Sequence, residues 1–280
     1  MKISGFTIVR NAIQYGYPVL ESIRSILPVC DEFIVNVGDS QDGTLGLIES
    51  IQDPKVRIIQ TQWDMAKGPT VLSEQTNIAL KACKGQWAFY LQTDEVVHEI
   101  DLPCLKNLMK GHLKDSKIDA LRFKWLHFYG SYWRYRIDAG WYQKQDRIIR
   151  NDGSIESYGD AFAFRRMDGN PLYHLATGCF LYHYGWVQAN EVMAKRRANA
   201  EKIGFIEKAE NSSQGHYDFG DLNRFPVYFG THPSTMRQKV EGHVLSREDF
   251  KEIHKKYWWN PLKIFKVRYK TGHRVKQKLV

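Results

Sequence analysis

Short apolar runs alternate with helical patterns through the first part of the chain. β-branched and apolar runs predict four buried strands, at residues 3–9, 33–37, 56–60 and 87–92. Apolar side chains at helical spacing predict four helices, at residues 18–26, 45–51, 73–83 and 102–113. Because strand and helix alternate strictly, we predict an α/β fold with a mostly parallel, doubly wound sheet and helices on both faces.

From about residue 118 this pattern changes. Further strand-like segments are predicted at residues 120–125, 147–150 and 161–164, joined by aromatic loops such as FYGSYWRYRIDAGWYQ. Charged helices are predicted at residues 191–209 and 247–257. We therefore expect one domain over residues 1–190, built from halves at 1–100 and 101–190, followed by a basic helical extension at 191–280.

The composition fits a folded protein of the cytoplasm. The chain has 280 residues, of which 43% are hydrophobic, so it can bury a large core. Its four cysteines are scattered without a CxxC pair, which argues against a zinc site or a disulfide framework and favours a reducing compartment. No apolar run has the length of a bilayer-spanning helix, so we expect cytoplasmic localisation.

The net charge of +9 predicts an anionic partner, and the distribution of the basic residues along the chain indicates which kind of partner it is. Basic residues crowd the C-terminal tail: Lys255, Lys256, Lys263, Lys266, Arg268, Lys270, Arg274, Lys276 and Lys278. Trp258 and Trp259 lie among them, a mixture that suits peripheral contact with an anionic membrane surface. A solvated helix end is the alternative. We expect no nucleic-acid partner, because acidic loops in the first half would repel phosphate in the absence of a metal.

Polar clusters follow three of the predicted strands. The first strand ends in Arg10-Asn11, the second in VGDSQDGT (37–44) and the fourth in QTDE (92–95). Each loop alone could be an ordinary turn, and Asp42 could simply begin the next helix. However, ligands of open parallel sheets bind at the carboxyl ends of the strands, where these three loops would converge.

These segments resemble the family 2 glycosyltransferases, which have the GT-A fold. The resemblance lies in the order ISGFTIVRNA, DEFIVNVGDSQDGT and GQWAFYLQTDEVV, over about residues 3–100. In that family the first strand ends in an Asn-containing loop, the second in a motif close to DDGSTDGT and the fourth in an acidic DxD-type motif. The segment HYGW (183–186) is similar to a downstream histidine segment of some members.

The resemblance implies a GT-A-like fold and a nucleoside-diphosphate sugar as donor, bound by the first half of the domain. It implies that Arg10, Asn11 and Asp39 lie near the base and ribose, and we add Asp42 of the same loop as a nucleotide-binding candidate. Asp94 is implied to hold a divalent metal, Mn²⁺ or Mg²⁺, against the diphosphate. The acceptor implied is a saccharide or a lipid-linked glycan, facing the second half.

The chain departs from the family pattern at two positions. Val37 occupies the place of the first Asp of the second motif, and Gln92 that of the first acid of the DxD-type motif. A metal at a diphosphate needs only one or two carboxylates, because phosphates and water complete its shell. Gln92 offers a neutral oxygen and His183 a nitrogen, so we predict a metal site of Asp94, Gln92 and His183.

An inverting transfer needs a base for the acceptor hydroxyl. RNDGSIESYGDAF (150–162) supplies Asp160 and Glu156, and we favour Asp160 because it precedes a predicted strand. Either acid could instead be a solvated loop residue. A second reading keeps the fold without catalysis, as a nucleotide-sugar-binding or scaffolding protein. A nucleotidyltransferase is less favoured, because IVRNAIQYGY lacks a Gly-rich basic loop.

Overall fold

A computed structural model describes residues 1–138, 140–204 and 216–243. The strands are β1 (Ile3–Val9), β2 (Glu32–Gly38), β3 (Val56–Thr61), β4 (Trp87–Tyr90), β5 (Glu95–Val97), β6 (Ala120–Tyr129), β7 (Tyr135–Arg136), β8 (Lys144–Arg150), β9 (Ile155–Tyr158), β10 (Ala163–Arg166) and β11 (His174–Trp186). The α-helices are α1 (Val19–Ile26), α2 (Thr44–Glu49), α3 (Thr70–Ala82), α4 (Leu102–Gly111), α5 (Asn190–Lys202) and α6 (Arg237–Glu241).

One nine-stranded sheet, in the order β3-β2-β1-β4-β8-β6-β11-β5 with β7 beside β6, forms the centre of the protein. The first four strands pair in parallel, and β11 pairs in parallel with β6. Strands β5, β7 and β8 run in the opposite direction. The predicted mostly parallel α/β sheet is therefore confirmed, with antiparallel strands confined to its second half.

Side chains of β1 alternate between two hydrophobic cores, one on each face of the sheet. Ile3 and Val9 pack in the core that α1, α2 and α4 cover. Phe6 and Ile8 pack in the core that α3 covers. This two-sided burial explains why β1 reads as a continuous apolar run instead of an alternating one, and it confirms helices on both faces.

A third core, rich in aromatic residues, lies at the β11 side of the sheet. Phe128 and Tyr184 stack there with ring centroids 4.9 Å apart. Tyr228, Met236 and Val240, from the segment after α5, are buried in the same cluster. This segment thus packs on the strands of the sheet, while the division of the chain at residue 190 stays a prediction.

Several elements differ from the sequence prediction. The strand predicted over 87–92 ends at Tyr90, because the chain turns and re-enters the sheet as the three-residue β5. The strand predicted over 161–164 lies at Ala163–Arg166, paired with β9, which was not predicted. The helix predicted over 191–209 is described only as Asn190–Lys202. Residues 205–209, the helix predicted over 247–257 and the basic tail lie outside the described residues.

No helix in the described part of the chain is long and apolar enough to span a bilayer.

We predict that Gly5→Ala destabilises the fold, because a β-carbon at Gly5 in β1 would lie 2.4 Å from a ring carbon of Phe33 and 2.9 Å from Cys30 Sγ. Overpacking of this kind costs about 1–3 kcal/mol in the free energy of unfolding, measured by urea denaturation. Gly46→Ala is the control, since Gly46 is exposed in α2 with no atom within 4 Å of the added carbon. An equal loss in both variants would contradict the prediction.

Candidate active site

The loops after β1 and β2 are joined through Asn11. This residue has a φ of +52°, in the left-handed region that asparagine tolerates better than most residues. Its main-chain N–H donates to Ser40 Oγ at 3.0 Å, and its side-chain oxygen accepts the main-chain N–H of Gln41 at 3.0 Å. Asn11 thus fixes one loop against the other, and its predicted contact with a nucleotide stays a prediction.

Arg10 and Asp39 form an ion pair at the same sheet edge, with Arg10 Nε 3.1 Å from Asp39 Oδ1. The N–H of Trp63 donates to the same oxygen at 3.2 Å. Partial burial opposes ionisation of Asp39, but the bonds from Arg10 and Trp63 outweigh it and lower the carboxyl pKa. Because the Asp39 side chain is 44% exposed, its carboxylate can still reach a ligand hydroxyl.

The carboxylate of Asp42 accepts hydrogen bonds from its own loop and from the loop after β1. Its Oδ1 accepts both the N–H and the hydroxyl of Thr44, at 3.1 and 2.5 Å, and its Oδ2 accepts the N–H of Gln14 at 2.7 Å. Both carboxylate oxygens therefore hold the start of α2 and the loop after β1. The alternative interpretation as a helix-starting residue accounts for this geometry, and the geometry does not support a nucleotide contact at Asp42.

The QTDE segment is a tight turn whose two acids point to different environments. Glu95 and Arg147 are fully buried and joined by two hydrogen bonds, Nε–Oε2 at 2.8 Å and Nη2–Oε1 at 2.9 Å. Glu95 also accepts the N–H of Gln92 at 3.0 Å, which closes the turn. Both guanidinium nitrogens that contact Glu95 are therefore engaged inside the protein. Glu95 is a structural residue.

The side chain of Asp94 lies opposite that of His183 at this edge of the sheet. Asp94 Oδ2 lies 3.6 Å from His183 Nε2, and the two side chains are 15% and 9% exposed. Burial raises the pKa of Asp94, but the charges of His183 and Arg196 outweigh this and lower it. A β-carbon at Gly185 would lie 2.6 Å from the Asp94 oxygen and 2.7 Å from the His183 nitrogen. Any side chain at position 185 would therefore collide with both atoms, and glycine avoids this collision.

Asp94 and His183 are the residues that would hold a divalent cation at this place. Their 3.6 Å separation is long for a hydrogen bond, and a carboxylate oxygen and an imidazole nitrogen are both donors that Mn²⁺ accepts. Within residues 1–138, 140–204 and 216–243 no group of three or more His, Cys, Asp or Glu could hold a metal. A cation here would have two protein donors, as metals at substrate diphosphates often do. Gln92 is half-buried nearby in the turn, and its role as a ligand stays a prediction.

Two aromatic rings hold His183 in place. Trp125 stacks on the imidazole with a centroid distance of 5.2 Å and an interplanar angle of 3°. His127 Nδ1 lies 3.0 Å from His183 Nδ1, because the two histidines are register partners on β6 and β11. Burial, with a smaller contribution from the charge of His183, lowers the pKa of His127 to about 3.

Arg196 of α5 links the donor-side loop to β11. Its Nε donates to the carbonyl of Tyr15 at 2.6 Å, and its Nη1 donates to the carbonyl of Gly185. The guanidinium lies 4.1 Å from the ring centroid of Tyr17. Its positive charge also acts on Asp94. Arg196 therefore connects the loop after β1 to the end of β11.

The two predicted catalytic acids have different positions. Asp160 accepts the N–H of Phe162 at 3.3 Å, and Phe162 stacks on Tyr142 with centroids 5.4 Å apart. The carbonyl of Phe162 accepts a hydrogen bond from Arg147, which ties this loop to the turn that carries Asp94. Glu156 instead accepts two hydrogen bonds from Arg165 across the β9–β10 ribbon. Glu156 is thus engaged with Arg165, and the role of either acid as a base stays a prediction.

Sequence reasoning missed His127, Trp125 and Arg196. A signal for His127 was present, because WLHFYG and FLYHYG place a histidine among aromatic residues in two segments. Only the parallel pairing of β6 and β11 shows that the two histidines meet. Arg196 lies in a charged helix in which no feature of the sequence separates it from Lys195 and Arg197.

The family model of Glycosyl transferase family 2 matches residues 6–189, well over half of the chain. The chain belongs to glycosyl transferase family 2. The family predicted from the three strand-end segments is therefore confirmed. The matched span includes Asp39, Asp94 and His183, and it extends well beyond residue 100, where the similarity recognised in the sequence faded.

Two solved structures are similar to this chain at low sequence identity. S. aureus TarS 1–349 in complex with UDP-GlcNAc is 17% identical, with coverage of 75% of this chain and 68% of that chain and a TM-score of 0.44. The chain spans 41% of the longer TarS chain. Glucosyl-3-phosphoglycerate synthase from Mycobacterium tuberculosis, in complex with Mn²⁺, UDP and glucosyl-3-phosphoglycerate, is 14% identical, with coverage of 72% and 80% and a TM-score of 0.39.

Among curated proteins, none matches this chain significantly.

We predict that Arg147→Met destabilises this glycosyltransferase by about 3–5 kcal/mol, because Glu95 would remain charged and buried without its partner. Urea denaturation measures the loss. The double variant Glu95→Gln/Arg147→Met should recover part of it, since glutamine is neutral and still accepts the N–H of Gln92. If the double variant were as unstable as the sum of both single variants, the ion pair would not be the cause.

Proposed function

We propose that this family 2 glycosyltransferase moves a sugar from a nucleoside-diphosphate sugar to a saccharide or lipid-linked acceptor, with inversion at the anomeric carbon and with a divalent metal. The observation that carries the proposal is the approach of Asp94 Oδ2 and His183 Nε2, 3.6 Å apart beside Gly185. A carboxylate and an imidazole this close together suit a cation that also binds phosphate oxygens.

In this mechanism the loops of the first half bind the donor nucleotide. Asp39 is exposed at the end of β2 and is held by Arg10, so its carboxylate can accept hydrogen bonds from ribose hydroxyls. Asp94 and His183 would hold Mn²⁺ or Mg²⁺, which neutralises charge on the diphosphate as the sugar–phosphate bond breaks. Arg196 holds the Tyr15 loop and Gly185 in register, so that both ends of the donor are bound together.

Asp160 is the proposed base on the acceptor side. It takes the proton of the attacking hydroxyl while the acceptor oxygen bonds to the anomeric carbon and the nucleoside diphosphate leaves from the opposite side. Its support is its position near Tyr142, a residue that is 51% exposed and whose pKa is raised by partial burial and, to a smaller extent, by the Asp160 charge. An exposed aromatic ring next to a carboxylate suits a sugar acceptor, which presents an apolar face and hydroxyl groups.

The C-terminal extension would bring the enzyme to an acceptor at an anionic membrane surface on the cytoplasmic side. Residues 244–280 hold eleven Lys and Arg against three Asp and Glu, so they carry eight of the nine net positive charges of the chain. Trp258 and Trp259 lie among these charges. Clustered basic and aromatic residues favour the surface of anionic lipid bilayers.

We predict that Mn²⁺ together with the correct nucleotide sugar raises the melting temperature, and that Asp94→Asn abolishes this joint effect. Binding to the folded state stabilises by about 2.7 kcal/mol at a hundredfold excess over Kd. Losing one carboxylate–metal interaction, worth roughly 4 kcal/mol, lowers metal-dependent turnover by up to about 10³-fold. A thermal-shift screen of UDP-, GDP- and dTDP-sugars measures the rise in melting temperature, with CMP-sugars as monophosphate controls. If chelators left wild-type turnover unchanged, the proposed dependence of the reaction on a metal would be wrong.

We also predict that Asp160→Asn lowers kcat by about 10²–10⁴-fold, the usual contribution of a general base, while donor binding in the thermal-shift assay stays unchanged. Glu156→Gln is the matched control, because Glu156 pairs with Arg165 on the β9–β10 ribbon and should retain activity. Full activity in Asp160→Asn with a loss in Glu156→Gln would exchange the two roles.

A further inference from the structure

His127 connects the proposed metal ligand to the backbone of the acceptor-facing half. Its Nε2 lies 2.7 Å from the carbonyl oxygen of Tyr142, and its Nδ1 lies 3.0 Å from His183 Nδ1. His127 is only 3% exposed, so no water competes for these contacts. A line of hydrogen bonds thus runs from the Tyr142 carbonyl through both imidazoles to the side of His183 that faces Asp94.

The chemistry of the groups fixes the position of each proton in this line. A carbonyl oxygen only accepts, so His127 must carry its proton on Nε2. A neutral imidazole with a proton on Nε2 has a lone pair on Nδ1. The bond between the two Nδ1 atoms therefore requires the proton to belong to His183. When His183 is neutral, its remaining lone pair is on Nε2, directed at the side of Asp94.

From this geometry we propose that His127 is a positioning residue that sets the tautomer of His183, so that Nε2 is free to bind a divalent cation together with Asp94. The carboxylate of Asp94, 3.6 Å from His183 Nε2 in a mostly buried setting, is stabilised by a positive species at Nε2, either a proton or a cation that takes its place. Trp125, stacked parallel on His183, keeps the ring from rotating away. Hydrogen bonding from outside the ligand shell commonly fixes the tautomer of a metal-binding histidine.

The inference rests on the proposed metal-dependent function, but its first test does not need the metal. In ¹⁵N-histidine NMR of the metal-free, full-length protein, we expect the proton shared by the two Nδ1 atoms to be bonded to His183, and His127 to be protonated at Nε2. Resonances are assigned with His127→Asn and His174→Phe variants. A shared proton bonded to His127 would overturn the proposal, whatever the protein does with metal.

The second test measures Mn²⁺ binding from the loss of the free-ion EPR signal as MnCl₂ is added. His127→Phe keeps an aromatic ring without nitrogen atoms, and we expect binding to weaken about 10–100-fold, as for other outer-shell partners. His127→Asn keeps an acceptor near Nδ1 and should retain near wild-type binding. His174→Phe, at an exposed histidine of β11, is the control.

The two EPR outcomes have separate meanings. Unchanged Mn²⁺ binding by a folded His127→Phe variant, checked by urea denaturation, would overturn the role of His127. Absence of Mn²⁺ binding by the wild-type protein would count against the metal in the proposed function, and the NMR result would then decide the assignment of the proton alone.

Discussion

The carboxylate of Glu95 and the guanidinium of Arg147 meet through two short hydrogen bonds in a part of the protein from which water is excluded. A charge buried in this way is tolerated only with a partner, so the two residues fix the distance between β5 and β8. Arg147 also donates to the carbonyl of Phe162, which anchors the loop of Asp160. The turn that carries Asp94 and the loop that carries Asp160 are thus both held by Arg147.

Above this support, the site is assembled from segments that are far apart in the chain. Asn11 holds the loops after β1 and β2 together, and Arg196 joins the first of these loops to the end of β11. Both residues can fix the arrangement of the site without contacting a substrate. The nucleotide-binding candidates and the Asp94–His183 pair keep a fixed separation because these main-chain contacts cross between them.

Much of the first half could be predicted from local pattern. Strands buried on both faces, such as β1, leave a continuous apolar run, and strand-end loops of a parallel sheet must gather at one edge. The position of Asp94 at this edge followed from that rule. The buried, structural position of Glu95, the next residue, could not be predicted from this rule, because it depends on Arg147, which is 52 residues away in the chain.

The second half was less predictable for a related reason. The thirteen-residue β11 contains polar and glycine residues that mask its strand pattern, and it is stabilised by pairing with β6 and β5. The contact of His127 with His183 is a consequence of that register. Asp42 shows the opposite case, since its local helix-starting role was readable from Asp-Gly-Thr alone.

The hydrogen-bond acceptor at the far end of the histidine pair is a main-chain carbonyl, that of Tyr142. A point substitution exchanges a side chain and leaves a carbonyl in place, so this anchor persists whichever amino acid occupies position 142, as long as the loop keeps its path. A change in loop length between β7 and β8 would displace it. For this contact alone, relatives should therefore tolerate a change of residue at this position more readily than insertions or deletions beside it.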